Sequence, residues 1–459
     1  MVPERLKRRL AEIVGTDRIL TSNEDLMVYA YDATLPEYLP EVAVFPRDAA
    51  QVAEILKLAN AERIPVVPRG AGTNLSGGSL PLHGGIVVGL AKMNRILEVD
   101  KENLVAVVEP GVVNSDLQAY LAPMGLFYPP DPASMNACTI GGNIAENSGG
   151  PRCLKYGVTR DYVLGLEVVL PTGEIIHTGG RTVKNTTGYD LTRLFVGSEG
   201  TLGIVTRANL RLLPIPEGKR TLLAIYDELN DASRTVSAII GQGIIPTTLE
   251  LMDNMLIGCA EDFTHVGLPK DAAAILLIEV DGFQESLDRQ ALVIEQLCRD
   301  NKAREVRRAQ TADEVNRLWV ARRTVIGAVA RVKPSYSLQD VTVPPSKLPQ
   351  MVSRIVEISG KYDLPIGVLA HAGDGNLHPM VLFDKRNHEE TERVEHAESE
   401  ICQAALALGG TLSGEHGIGL SKRPRLPLEF SSDEINLTRR LRALFDPNGI
   451  LNPGKIVGE

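Results

Sequence analysis

Pro68-Arg69-Gly70-Ala71-Gly72-Thr73-Asn74-Leu75-Ser76-Gly77-Gly78-Ser79 is the stretch on which the fold turns. It follows Ile64-Pro-Val-Val, a short apolar run of the kind that fills a buried strand. A chain leaving such a strand through residues this small can turn successive backbone N–H groups toward one point and hold a phosphate or pyrophosphate there. The pattern is not a Rossmann fingerprint, because Leu75 stands where the third glycine of Gly-x-Gly-x-x-Gly belongs.

The flanking sequence reads as alternating strands and helices. Val42–Phe45 is a short apolar strand, and Asp48 is the N-cap of a helix running to Asn60. Gly85–Gly89 and Leu104–Glu109 are further strands. Asn114–Met124 is a helix closed by Gly125, and residues 129–150 form a long loop whose Asn, Ser and Asp alternate with small residues. A loop of that length in a compact domain is usually functional or disordered, and this alternation favours one that wraps a ligand. Val163–Pro171 and Gly173–Ile176 form a hairpin about Pro171-Thr-Gly173.

Composition narrows the function classes. A chain of 459 residues holds two or three domains. A net charge of −10 argues against nonspecific nucleic-acid binding, which needs a cationic surface. No apolar run approaches the ~20 residues that span a bilayer. The basic start lacks the apolar segment of a signal peptide and reads as an amphipathic helix, so a cytoplasmic setting is expected. The five cysteines, at 138, 153, 259, 298 and 402, have no Cys-x-x-Cys spacing. They encode neither an iron–sulfur cluster nor a zinc ribbon, and they fit a reducing compartment. Gly449-x-x-x-x-Gly454-Lys455 is a near-miss for a nucleotide-binding P-loop. Ile456 replaces the required hydroxyl residue and no helix can follow, which excludes a nucleoside triphosphatase.

Beyond Pro214-Ile-Pro216 the pattern changes. Strands at Thr221–Tyr226, Thr247–Met252 and Ala274–Val280, with helices at Asp231–Gly241 and Glu285–Asp300, give a β-α-β-β-α order. That order predicts a ferredoxin-like antiparallel sheet with helices on one face. A helical region over 310–330, a strand over 337–343, and helices over 346–360 and 388–408 follow.

Two motifs in this half carry chemistry. In His371-Ala-Gly-Asp-Gly-Asn-Leu-His378, an Asp374-Gly375 two-residue turn would set His371 directly opposite His378 on one sheet face. Two imidazoles so placed can share an ion, and Glu415 of Gly414-Glu415-His416-Gly417 would complete a site of two histidines and one carboxylate. Such a site accepts Fe²⁺, Zn²⁺ or Mn²⁺. Neighbours in an extended segment point opposite ways, so unless the glycines around them twist the backbone Glu415 and His416 should not both be ligands, which suits Glu415 on the metal and His416 free as a base. On these residues alone a metal-dependent hydrolase also fits.

The ordered set of motifs is more specific than any one of them. Arg69-Gly-Ala-Gly-Thr-Asn74, Pro130-Asp-Pro-Ala-Ser134, Gly141-Gly-Asn-Ile-Ala145 and Gly197-Ser-Glu-Gly-Thr-Leu-Gly-Ile-Val-Thr206 occur in sequence. The chain, from about residue 20 to Lys455, resembles the vanillyl-alcohol oxidase superfamily of FAD-binding oxidoreductases. It is most similar to glycolate oxidase flavoprotein subunits and FAD-dependent D-lactate dehydrogenases.

The resemblance implies an α+β architecture in which a PCMH-type FAD-binding domain of two subdomains (residues 1–215) joins an antiparallel-sheet cap domain (216–412). A C-terminal segment (413–459) returns to the FAD domain. It implies FAD contacts from Pro68, Arg69, Gly70, Ala71, Gly72, Thr73, Asn74, Gly77, Gly78 and Ser79. Further contacts come from Pro130, Asp131, Ser134, Thr139, Gly141, Gly142, Asn143 and Ala145, then from Glu199, Gly203, Ile204, Val205 and Asn452. Covalent members carry a histidine just after the Gly-Gly pair; Ser79 stands there, so the FAD is expected to be noncovalent, and His83 lies a few residues on.

In this family the motif histidines and glutamate, here His371, His378 and Glu415, bind a divalent metal, and the next histidine, His416, takes part in substrate oxidation. The expected reaction has the metal hold the hydroxyl and carboxylate of a small 2-hydroxy acid, His416 take the hydroxyl proton, and a hydride pass to flavin N5. Leu318-Trp319-Val-Ala-Arg322-Arg323 resembles the segment that supplies the substrate-carboxylate arginine, which makes Arg322 the choice and Arg323 the fallback. Relatives acting on 2-hydroxyglutarate carry a lysine just before the strand where Leu338-Gln339 precede Asp340. Its absence favours lactate or glycolate. Without a cluster of its own, the protein is expected to pass electrons to an electron-transfer flavoprotein or an iron–sulfur subunit, or to serve only as a relay.

Overall fold

The computed structural model describes residues 2–34 and 36–458. They divide into two compact units. The first comprises Met1–Gly149, Gly157–Ile215 and Glu415–Glu459, and the second Gly150–Tyr156 and Pro216–Gly414.

The first unit holds two principal sheets. One is four-stranded, with Ile19–Leu20, Val42–Val44, Ile86–Gly89 and Val66–Arg69 in that order. Its three inner pairings include two parallel ones, and the strands Val42–Val44 and Ile86–Gly89 are buried throughout. The helix Ala49–Glu62 covers it, begun by Asp48, whose carboxylate accepts from the Gln51 N–H at 2.9 Å. The other sheet is antiparallel and five-stranded, with Ile204–Arg211 central between Val105–Val108 and Val163–Val169. The long loop expected over 129–150 contains a short helix, Ile140–Glu146, because Thr139 caps it by accepting from the Gly142 N–H.

The C-terminal segment returns to the first sheet. Leu451 bridges in parallel to Val66, and the buried Lys455 Nζ donates to Leu80 O at 2.6 Å. The helix Ser432–Phe445 that precedes this return was not expected from the sequence, although Ser431 and Glu434 form a capping box at its start.

The second unit is built on one antiparallel sheet. Its main strands run Glu305–Arg308, Gly218–Tyr226, Ala274–Gly282, Thr248–Asp253, Ile366–His371, Asn376–Phe383 and Ser335–Leu338 across the sheet. Helices cover both faces, not one. Leu222, Ala224 and Tyr226 pack with Val236, Ile294, Ile355 and Ile401, while Leu223 and Ile225 pack with Ile257, Ala321 and Val325. The strand Ala274–Gly282 shows the reason: its first seven residues are all buried, and a sheet solvated on one face would alternate.

The helix Asn254–Thr264, unforeseen in the sequence, interrupts the expected β-α-β-β-α order. Asp253 ends a strand and starts this helix with one carboxylate, accepting from Leu256 N–H at 3.0 Å and Val368 N–H at 2.7 Å. Removing both acceptors in Asp253→Ala should cost about 2 kcal/mol, one cap plus one buried hydrogen bond. Urea denaturation of the variant beside the parent measures this, and an unchanged midpoint would show that the carboxylate is not needed there.

Candidate active site

In the first unit, a cavity is lined by the small-residue segments. Pro68 to Asn74, Gly78 and Ser79 form one wall. Ser134, Thr139, Gly141, Gly142, Asn143 and Ala145 form another, and Glu199, Gly203, Ile204 and Val205 a third. Glycine is required where the walls press against neighbouring segments. A Cβ on Gly70 would fall 2.3 Å from Thr139 Oγ1, and one on Gly141 2.5 Å from Pro110 Cβ. Arg69 is buried beneath its own loop. Its guanidinium donates to Tyr31 O at 2.7 Å and Ser79 Oγ at 3.2 Å, and burial lowers its pKa.

Four residues expected at the cofactor do not line this cavity: Gly77, Pro130, Asp131 and Asn452. Gly77 makes the turn at φ +77°, and Pro130 O accepts from the Asn114 amide at 3.1 Å. Asp131 lies on the segment beside it. Asn452 acts at one remove, its Nδ2 donating to Gly78 O and Glu199 O at 2.8 Å each and so tying two walls together. His83 lies outside this cavity. The lining also includes residues given no part beforehand, among them Cys138, Glu146 and Phe195.

Glu415 and His416 both line the cavity. Strict alternation of neighbouring side chains therefore does not hold here, because the chain bends over residues 414–416 and does not run extended. Glu199 holds this segment. Its carboxylate accepts from Ile418 N–H at 2.8 Å and Gly419 N–H at 2.7 Å. Burial raises the Glu199 pKa to about 7 against these two donors and the nearby Lys455 and Lys422.

The second unit contains the histidine hairpin. His371 pairs with Asn376, and Leu369 with His378. The turn centres on Gly373-Asp374, closed by the Gly375 N–H to Ala372 O, in place of the expected Asp374-Gly375 turn. Gly375 follows at φ +80°, where a Cβ would meet Val343 O at 2.0 Å. The register thus differs by two residues from expectation. Because side chains alternate with period two, the shift leaves both histidines on one face. They are diagonal neighbours, with ring centroids 5.1 Å apart and planes at 84°.

Each ring is oriented by an acceptor at Nδ1. Glu250 lies directly across from His371 in the sheet and accepts from its Nδ1 at 2.8 Å. His378 Nδ1 donates to Gln339 O at 3.3 Å. With the proton assigned to Nδ1 in both rings, each Nε2 is the lone-pair nitrogen, the form in which imidazole ligates a metal. Asn376 Oδ1 is a buried acceptor with no donor among the described residues. It stands between the two histidines in sequence, yet had been given no role.

Arg322 is not available as a bidentate fork for a substrate carboxylate. It is buried, and its Nε and Nη2 reach Glu250 Oε2 at 2.7 and 2.5 Å. Burial pushes the Glu250 carboxyl up, but His371 and Arg322 outweigh it and hold the pKa below the usual range. Glu250 lies 72 positions from Arg322 and 121 from His371, so no local pattern could have disclosed the trio. Arg323 stacks over the Trp319 ring at 5.4 Å.

Residues 40–179 match the FAD binding domain family and residues 215–456 the FAD linked oxidases, C-terminal domain family. The chain belongs to the FAD-linked oxidases. It is 50% identical over 458 residues to the glycolate oxidase subunit GlcD of Bacillus subtilis, covering 99% of this chain and 97% of that one. It is 42% identical to the Escherichia coli K12 protein of that name, covering 97% and 89%. A probable mitochondrial D-lactate dehydrogenase of Danio rerio is 36% identical, covering 91% and 84%. In fold, this FAD-linked oxidase superposes on p-cresol methylhydroxylase with a TM-score of 0.83 at 19% identity, covering 98% and 96%. The α+β, vanillyl-alcohol oxidase-like architecture is thereby established, and the chain is an FAD-dependent oxidoreductase. Among the described residues no helix is long and apolar enough to cross a membrane.

The Glu199 carboxyl titrates higher in this folded oxidase than in the unfolded chain, so folding tightens its proton. Its stabilising effect is complete below the ordinary carboxyl range and is lost as pH rises from 4.5 through about 7. The urea midpoint of the FAD-free protein should therefore fall across that window, and fall less in Glu199→Gln. An equal fall in the variant would disconnect Glu199 from the trend.

Proposed function

We propose that the protein oxidises a small D-2-hydroxy acid, lactate or glycolate, to the 2-oxo acid, with FAD as hydride acceptor and a divalent metal at His371, His378 and Glu415. The observation that carries this reading is the pair of buried histidines on one sheet face, each with Nδ1 on an acceptor and Nε2 in the ligating form. The relatives at 50% and 36% identity are named for glycolate and D-lactate, which favours the same substrate class.

The flavin cavity fits its group: the walls are backbone and small side chains, with Arg69 already committed beneath them. Bound FAD supplies a two-electron acceptor at N5, and the metal supplies a positive charge that lowers the pKa of the substrate hydroxyl. His416 takes that hydroxyl proton as base. Glu250 fixes the His371 ring, and Arg322 neutralises Glu250, so that a buried carboxylate can stand behind the histidine without going unpaired.

Electrons then leave to a partner protein, an electron-transfer flavoprotein or an iron–sulfur subunit. The five free cysteines, which lack any cluster spacing, fit that need for a partner and also a cytoplasmic setting.

The purified protein should be yellow, and its flavin bands should bleach on adding D-lactate or glycolate. Full bleaching with a 2-hydroxy acid sustains the reading; a flavin that no hydroxy acid reduces leaves only an electron relay. His416→Ala should retain FAD but lose at least ~10²-fold in reduction rate, within the range for removing a general base.

Glu250→Gln should weaken binding of Zn²⁺ or Mn²⁺ about 10–100-fold by calorimetry while FAD affinity holds. Equal metal affinity in parent and variant would remove Glu250 from this role.

A further inference from the structure

Glu146 takes no part in the chemistry above, yet it is confined by the same segment that carries His416. It ends the helix Ile140–Glu146 and lines the flavin cavity. A Cβ on Gly78 would fall 2.7 Å from Glu146 Oε1, and one on Gly417 would fall 2.5 Å from its Oε2. That same position over Gly417 lies 2.8 Å from Glu199 Oε1. Two carboxyl groups therefore both lie over the glycine that follows His416.

Their surroundings differ. Glu199 accepts two backbone N–H bonds, whereas Glu146 Oε2 is buried with no partner among the described residues. The cations Lys455 and Lys422 act on Glu199, and the third carboxylate, Asp32, acts on Glu146. Arg69, Glu415 and His416 line the same cavity. A buried carboxylate without a donor is costly, and a second carboxylate beside it makes the ionised form worse. Burial, then Glu199, then Asp32 push the Glu146 carboxyl well above the usual range.

We propose that Glu146 is a neutral carboxylic acid donating its Oε2 proton to Glu199, and that the pair is a clamp positioning the His416 segment in the flavin cavity. Glu199 grips Ile418 and Gly419, and Glu146 backs Glu199 while filling the space over Gly417. Both are positioning residues. The clamp itself is independent of the substrate; its consequence for catalysis rests on His416 being the base.

The test uses the FAD-loaded protein with Glu146→Gln, whose amide N–H can replace the acid's donor, and Glu146→Leu, which has none. Hydrogen exchange of the peptide spanning residues 415–421 reads the Ile418 and Gly419 amides. Glu146→Gln should protect them to within about threefold of the parent, and Glu146→Leu should exchange at least ~10-fold faster. With D-lactate or glycolate, kcat should fall ~10-fold or more in Glu146→Leu with KM within about twofold, and recover in Glu146→Gln.

Unchanged exchange in Glu146→Leu overturns the clamp. So does a glutamine variant as impaired as the leucine one, since that would mean an ionised Glu146 is needed. Loss of FAD from Glu146→Leu, with exchange unaltered in what remains loaded, would make Glu146 a cofactor ligand instead. If the exchange results hold but no hydroxy acid reduces the parent's flavin, the substrate reading fails and the clamp stands.

Discussion

A carboxylate removed from water must be met by charge or by N–H donors, and each unit of this chain is organised around one such group. In the second unit it is Glu250, fixed between Arg322 and His371. In the first it is Glu199, fixed by the Ile418 and Gly419 amides. Neither is placed for stability in isolation: replacing a buried ion pair by hydrocarbon often costs nothing, while removing one partner leaves an unpaired charge. What these pairings supply is position. Glu250 sets the tautomer and tilt of the His371 ring, and Glu199 sets the path of the segment that follows His416.

Arg322 shows how far that constraint reaches. Once Glu250 is buried behind His371, a second charge must neutralise it, and the helix Ala312–Ala328 packs on the same sheet face as the two histidines. The guanidinium is consumed there. A fork that looks in sequence like a substrate clamp becomes in structure the support of a support. Glu250 is the residue that changes its meaning, and it sits in the strand Thr248–Asp253 without any motif around it.

The legible and illegible parts divide along physical lines. The glycine loop at 69–74 was readable because backbone approach demands small residues in contiguous sequence, and its cavity lies where they are. The hairpin was readable as to face but not register: a shift of two residues preserves every inward side chain, so periodicity alone could not separate His371 opposite His378 from His371 opposite Asn376. The helix Asn254–Thr264 was hidden because Leu251 and Met252 run into Met255, Leu256 and Ile257 with only Asp253-Asn254 between them, and a cap there looks like any polar pair. The tie that Asn452 makes was not legible, because the two wall carbonyls its amide holds lie 374 and 253 positions away in sequence.

The motif Gly414-Glu415-His416-Gly417 gathers these constraints into four residues. The chain leaves the second unit at Gly414 and enters the first at Glu415. Gly414 answers to the second unit: its N–H donates to Asp340 at 3.0 Å, and a Cβ would lie 2.4 Å from Thr342 Oγ1 and 2.6 Å from Asn376 Cγ. Gly417 answers to the first: its φ is +82°, and a Cβ would meet the carboxyls of Glu146 and Glu199. Each glycine is thus demanded by a different body of the protein, and Glu415 and His416 follow one another in the interval between. A side chain at Gly414 would collide with Thr342 and Asn376, and one at Gly417 would add a left-handed φ to a clash with two carboxyls, so either substitution would disturb the backbone that carries Glu415 and His416.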